Sequence, residues 1–139
     1  MFLKQEMVNY TIIMEWIGIE KLQPDSFGFI YKITELSTGK QYIGKKQLIS
    51  IRTKVIAEKK RKVKSESDWK KYYSSNEYLK KHPNKEDLKR EILYGCKSKG
   101  ELNYCETKEL FKNDVLESDL WLNENIASRY FKKNVLKYR

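Results

Sequence analysis

Phe29, Ile30, Tyr31 and Ile33 form a short run of apolar, β-branched and aromatic residues. Gln41, Tyr42 and Ile43 form a second run, which ends at Gly44. Between them stands Ser37-Thr38-Gly39-Lys40, with a glycine suited to positive φ. Two strand-like runs about a tight polar turn predict a β-hairpin over residues 27–46.

Further along, the pattern is mixed. Leu48, Ile49, Ile51, Arg52 and Val55 fit a strand and a helix face about equally well, so residues 48–58 stay open between the two. The run Lys59-Lys60-Arg61-Lys62-Val63-Lys64 predicts a mobile basic loop. Residues 68–73 predict a short helix capped by Ser65 or Ser67, and residues 77–81 a second one stopped near Pro83. Residues 88–94 predict a strand, although their Glu and Lys content weakens it. Residues 101–116 lack Gly and Pro and are rich in Glu, Lys and Leu, so they predict the longest helix. Residues 121–126 read as a loop containing a turn.

Before the hairpin, residues 10–14 have strand composition, residues 16–19 form a short apolar piece, and Pro24-Asp25-Ser26 reads as a turn. The chain thus divides into a leader over 1–26, a domain over 27–126 with a basic insertion at about 53–67, and a basic tail over 127–139. The leader is expected either to pack on the core as an edge arm or to be a disordered tail.

Charge narrows the function. Lys and Arg number 29 against 19 Asp and Glu, a net charge of +10, which points to a polyanionic partner, nucleic acid first. The basic run then reads as a phosphate-tracking segment rather than a merely solvated linker. Cys96 and Cys105 have no Cys/His spacing for structural zinc and are expected as reduced thiols in a cytoplasmic protein. No apolar run nears the roughly 20 residues that span a bilayer, so no membrane partner is expected. The one histidine, His82, lies beside Pro83 in an expected loop and is given no role.

Ile30-Tyr31, followed after ten residues by Tyr42-Ile43-Gly44, resembles the paired motif of the GIY-YIG nuclease superfamily, with the feel of its small phage-type (bacteriophage) or homing-type endonucleases. Phe29 departs from the motif at its first glycine, although Gly28 stands one residue earlier. The resemblance extends over roughly residues 28–126. It implies an α/β (α+β) domain: a small antiparallel central sheet flanked by helices. It also implies a magnesium-dependent DNA endonuclease, a hydrolase of phosphodiester bonds. The alternative is an inactive nucleic-acid-binding module of the same fold.

Such a reaction requires help for the attacking water, stabilisation of the developing charge, and usually a divalent metal. Tyr31 and Tyr42 would meet across the paired strands, although a phenol with an ordinary pKa of about 10 is a poor base unless a cation depresses it. Two plain cross-strand aromatics are the bland reading. The resemblance places an essential arginine at Arg52, on a helix facing the hairpin; Lys46 and Arg61 are its rivals. It places a metal-binding glutamate on the long helix. Glu106 shares a face with Leu102 and Leu110 at i−4 and i+4, and Glu109 is the alternative. One carboxylate leaves most of the coordination shell to water and phosphate, which suits Mg²⁺ (or Mn²⁺). Asn125 resembles a late orienting asparagine. Lys45, Lys46, Lys59, Lys60, Arg61, Lys62, Lys64 and Trp69 are the expected DNA contacts.

Overall fold

The computed structural model describes residues 15–136. A three-stranded antiparallel sheet in the order β2-β1-β5 forms its centre, from β1 (Gly28–Glu35), β2 (Gln41–Gln47) and β5 (Leu88–Cys96). Among the described residues, β3 (Ile49–Ile56) and β4 (Lys59–Glu66) pair only with each other, as do the two-residue strands β6 (Asn125–Ile126) and β7 (Tyr130–Phe131). The helices are α1 (Glu77–Lys80), α2 (Lys99–Lys112) and α3 (Lys132–Val135). This is the expected α+β class, and the hairpin and the strand after residue 88 stand where the sequence puts them, while the long helix is present with shifted ends.

β1 is the central strand, covered on both sides, because its alternating residues feed two apolar clusters. Phe29, Tyr31 and Ile33 pack with Trp16, Leu79, Leu88 and Ile92. Ile30 packs on the other side with Ile43, Leu102, Leu110, Val115 and Ile126, beneath α2. A bulge lets Ile30 face Tyr94 while Tyr31 faces Ile92, so Leu93 is the extra residue. Gly28 starts β1 where a Cβ would lie 2.7 Å from both Leu102 Cδ2 and the Lys46 carbonyl, so the missing side chain is what lets α2 sit this close.

The long helix begins two residues earlier than the sequence suggests and ends four residues sooner. Ser98 Oγ accepts from the Glu101 N–H, and Glu101 Oε1 reaches back to the Lys97 N–H, a variant of the capping box. At the other end Asp114 adopts φ 50°, its N–H reaches the Phe111 carbonyl, and the Val115 N–H reaches the Leu110 carbonyl. That is a Schellman ending, with Val115 and Leu110 in the same apolar cluster.

The larger correction concerns residues 48–67. The open segment is strand β3, and the expected basic loop is strand β4; together they form a hairpin paired from Ile49↔Glu66 to Ile56↔Lys59. Its two-residue turn is Ala57-Glu58, both at positive φ (51° and 63°). Most such turns announce themselves by Asn or Gly, which this one lacks. The expected serine-capped helix at 68–73 is a single 3-10 turn, Trp69–Lys71. Ser65 lies within β4, and Ser67 instead donates to the Gln47 carbonyl, closing the base of the ribbon.

Of the leader, residues 10–14 lie outside the described residues. Trp16 is buried and donates to the Trp69 carbonyl at 2.8 Å. Ile17 adds a parallel bridge to β5 at Glu91. At the far end, the expected tail from residue 127 continues the fold as β7 and α3, with Lys132 buried against the Trp121 carbonyl. No described helix is long and apolar enough to cross a membrane.

Candidate functional site

β2 is an edge strand, and the chain after α2 covers part of that edge. The Gln41 N–H donates to the Leu120 carbonyl and the Leu122 N–H to the Gln41 carbonyl. The buried Asn123 then grips Ile43, two residues further along β2, from both ends. Its Oδ1 accepts from the Ile43 N–H (3.1 Å) and its Nδ2 donates to the Ile43 carbonyl (2.8 Å). Beside this clamp lies an open hollow of about 400 Å³, lined by Tyr42, Lys45, Glu106, Asn123, Glu124 and Asn125 among others.

Tyr42, on β2, lines this hollow. Burial pushes its pKa up; hydrogen bonds with Ser74 and Ser75 oppose that, and the Glu106 charge adds to it. Tyr31 lies behind, 1% exposed, its ring 6.2 Å from that of Tyr42 and opposite Gly44 in the register. Burial holds the Tyr31 phenol well above the ordinary tyrosine value, helped by Tyr42 and Tyr72 and opposed by Ser74. Both phenols are therefore neutral hydrogen-bonding groups at neutral pH, the reverse of the depressed phenol that a base requires. Ser74 sits between them, buried and held at φ 85°, where a non-glycine residue stores about 1–3 kcal/mol of strain.

α2 supplies Glu106 from the opposite wall. Burial raises its pKa, and Lys45, 3.8 Å away, opposes the rise. Glu109 occupies a different environment. It is 7% exposed, accepts from the Tyr94 hydroxyl at 3.1 Å, and faces the interior rather than the hollow. Asn125 is exposed at the rim, where its Oδ1 accepts from the Ser128 N–H in a local turn. The donors facing the hollow are carboxylate, amide and hydroxyl oxygens, with no Cys or His. That chemistry fits a hard divalent cation, and Glu106 and Glu124 are the carboxylates that line the hollow. The two thiols stand apart from it; both are free, and burial pushes Cys96 up to about 12.

Arg52 is not on a helix. It lies on β3, exposed, and lines a second, larger hollow of about 690 Å³ with Lys46, Ser50, Ser65 and Asp68. Lys45 lines both hollows and so joins them. Lys46 pairs with Asp68 at 2.6 Å and lies 4.1 Å from the centre of the Tyr72 ring. Lys59, Lys60, Arg61, Lys62 and Lys64 are exposed along β4. Trp69 is more engaged than an open DNA contact, since it packs on Phe29 and its Nε1 donates to Glu66 Oε1.

Two features escaped the sequence. Asn123 is the asparagine that fixes the β2 edge, and no local signal marks it because its partner is 80 residues away. His82 has a role after all. Its Nδ1 accepts from the Asn84 N–H, so its Nε2 proton points to the buried Glu35 at 2.8 Å. Ligand atoms of Glu35, His82 and Asp87 lie within 4.8 Å of one another. The Glu35 oxygens, however, already accept from Thr38, Tyr78 and His82, so the group staples the hairpin turn to α1 and its C-terminal end.

A family model described as "Putative endonuclease segE, GIY-YIG domain" matches residues 14–135. No curated protein and no solved structure gives a significant match.

Proposed function

Because the chain belongs to the GIY-YIG endonuclease domain family, we propose that it hydrolyses phosphodiester bonds of DNA in the cytoplasm, using a divalent metal ion, Mg²⁺ or Mn²⁺. One observation carries this reading. Tyr42 and Glu106, 64 residues apart in sequence and on different elements, line one open hollow together with Lys45, which pairs with Glu106 at 3.8 Å. A bound metal would supply Lewis-acid stabilisation of the phosphate oxygens and a more acidic water. Glu106 would hold it, with Asn125 nearby on the rim.

The remaining work falls to the chain's own groups. Tyr42, protonated at neutral pH, orients the attacking water through its hydroxyl. Tyr31 fixes the Tyr42 ring and the Gly44 backbone from below. Lys45 and Lys46 hold the phosphates, and Arg52 reaches the flanking phosphate from the adjoining hollow with a fork that matches phosphate geometry.

A second reading has a specific observation behind it: Arg52 and Glu106 line different hollows, as suits a module that binds nucleic acid without cutting it. Incubating the protein with supercoiled plasmid decides between them. Nicked or linear product with Mg²⁺, none with EDTA and none from Glu106→Gln is the expected result. Binding without any product under all metals tried leaves the binding module.

A further inference from the structure

The β3–β4 ribbon has the shape of an arm. From Ile51 to Lys62 every residue is exposed, and each eight-residue strand reaches about 27 Å at about 3.4 Å per residue. Residues 49–66 hold seven of the 29 basic residues and two of the 19 acidic ones, net +5 of the chain's +10. None of those seven has an ion-pair partner among the described residues. The register places Lys54 directly opposite Arg61, a like-charge pair that costs stability in an isolated ribbon. An arm that keeps unpaired, mutually repelling cations at cross-strand contact is complementary to a polyanion.

Its two faces differ in where they lead. Strand alternation puts Ser50, Arg52 and Lys54 on one face, with Ser65, Arg61 and Lys59 on the same face of β4. Ser50, Arg52 and Ser65 line the larger hollow together with Ile49 and Glu66 from the base of the other face, and Lys45 joins it to Tyr42 and Glu106; Arg52 is the one ribbon cation among them. That face therefore continues the basic lane from the cleavage hollow to the ribbon tip. The opposite face carries Lys60, Lys62 and Lys64 beside the exposed Ile51 and Val55, while the first face has one exposed aliphatic, Ile56, at its tip.

We propose that the β3–β4 ribbon lies in the major groove of duplex DNA, with its Lys54–Lys59–Arg61 face turned to the DNA. The inference rests on the DNA-directed reading above. A two-stranded ribbon fits the B-form major groove, about 12 Å wide, whereas the A-form major groove of duplex RNA is too narrow and deep. Arg61 and the lysines can donate to guanine O6 and N7 there and to the flanking phosphates. The catalytic hollow then meets the backbone beside the groove that the ribbon occupies.

Two triple variants of equal charge change test this: Lys54→Gln/Lys59→Gln/Arg61→Gln, and Lys60→Gln/Lys62→Gln/Lys64→Gln. Binding of a short fluorescein-labelled DNA duplex is measured by anisotropy in EDTA, with thermal melts to confirm folding. The first triple should lose about tenfold or more in affinity. Its log–log salt slope should fall by about 0.9 per phosphate contact removed. The second removes three lysines that the sequence also marks as DNA contacts but that the register turns to the other face, so it should lose at least about threefold less than the first, a difference of roughly 0.7 kcal/mol. Dimethyl sulfate should find guanine N7 protected in the wild-type complex. Equal losses in the two triples, unprotected N7, equal affinity for duplex RNA, or no duplex binding would each overturn the inference. The nuclease reading fails separately. A protein that cuts plasmid but shows equal losses keeps the nuclease and loses the arm; one with the asymmetry but no cutting does the opposite.

Discussion

The Tyr31 ring lies against the backbone of Gly44 on the neighbouring strand, where a Cβ would come 2.5 Å from its Oη and 2.6 Å from its Cζ. The same Cβ would be 2.9 Å from Tyr42 Cε1. The glycine that ends the second strand run is thus a seat for both tyrosines. Gly44→Ala should push Tyr31 off its rotamer and destabilise the fold by about 1–3 kcal/mol, the scale of overpacking a core. Urea unfolding measures it, and an unchanged midpoint would mean that the tyrosines adjust freely.

The two tyrosine hydroxyls should separate in their effects. Tyr42 faces the hollow, so Tyr42→Phe should slow single-turnover cleavage by about a hundredfold, the scale of lost general acid–base help. Tyr31 is 1% exposed. Tyr31→Phe should chiefly cost stability, about 1 kcal/mol for its hydrogen bonds. Cleavage by both variants within about threefold of wild type, roughly 0.7 kcal/mol in barrier, would reduce the pair to packing.

The neighbouring glutamates should behave oppositely. Glu106→Gln should abolish metal-dependent cleavage while leaving the melting temperature and duplex binding in place. Glu109→Ala leaves the Tyr94 hydroxyl without its acceptor and should cost about 1–3 kcal/mol of stability. An active Glu106→Gln beside a folded but inactive Glu109→Gln would transfer the metal role to Glu109.

Asn123→Ala removes both side-chain bonds to the Ile43 backbone and strips the β2 edge beside the hollow. Each buried group left unpaired costs about 1–3 kcal/mol. Hydrogen exchange should accelerate at the Ile43 amide more than at the amides between β1 and β5. Uniform acceleration would show that Asn123 acts on global stability alone.

Acid should act through Glu35. Burial by itself pushes this carboxyl upward, but hydrogen bonds from Thr38, Tyr78 and His82 outweigh it and hold the pKa below the ordinary value. A lowered folded pKa gives stability that is complete above the unfolded value of about 4.3 and is lost as the pH falls through the folded one. The gap in melting temperature between wild type and Glu35→Gln should therefore narrow below about pH 4.3. A gap that stays constant down to pH 3 would remove Glu35 from the acid response.

The sequence by itself determined the β1–β2 hairpin, β5 and the body of α2. Short-range rules settle such elements: a glycine at φ 78° in the turn at Gly39, apolar runs of strand composition, and a Gly- and Pro-free helix. The spacing of Tyr31, Tyr42 and Gly44 was legible for the same reason, since pairing across a turn is fixed by counting residues. The ribbon was not, because an Ala-Glu turn carries no positive-φ signal and six positions rich in lysine look like solvated loop. Nor could local periodicity choose between Glu106 and Glu109. Both lie near the apolar stripe of α2, and only the placement of β2 and Tyr94 puts one in the hollow and the other inside. Asn123 with Ile43, His82 with Glu35, and Arg90 stacked between Trp16 and Tyr73 all join residues far apart in the chain. A polar side chain's role there depends on which buried group it satisfies, and that partner exists only once the tertiary fold has formed.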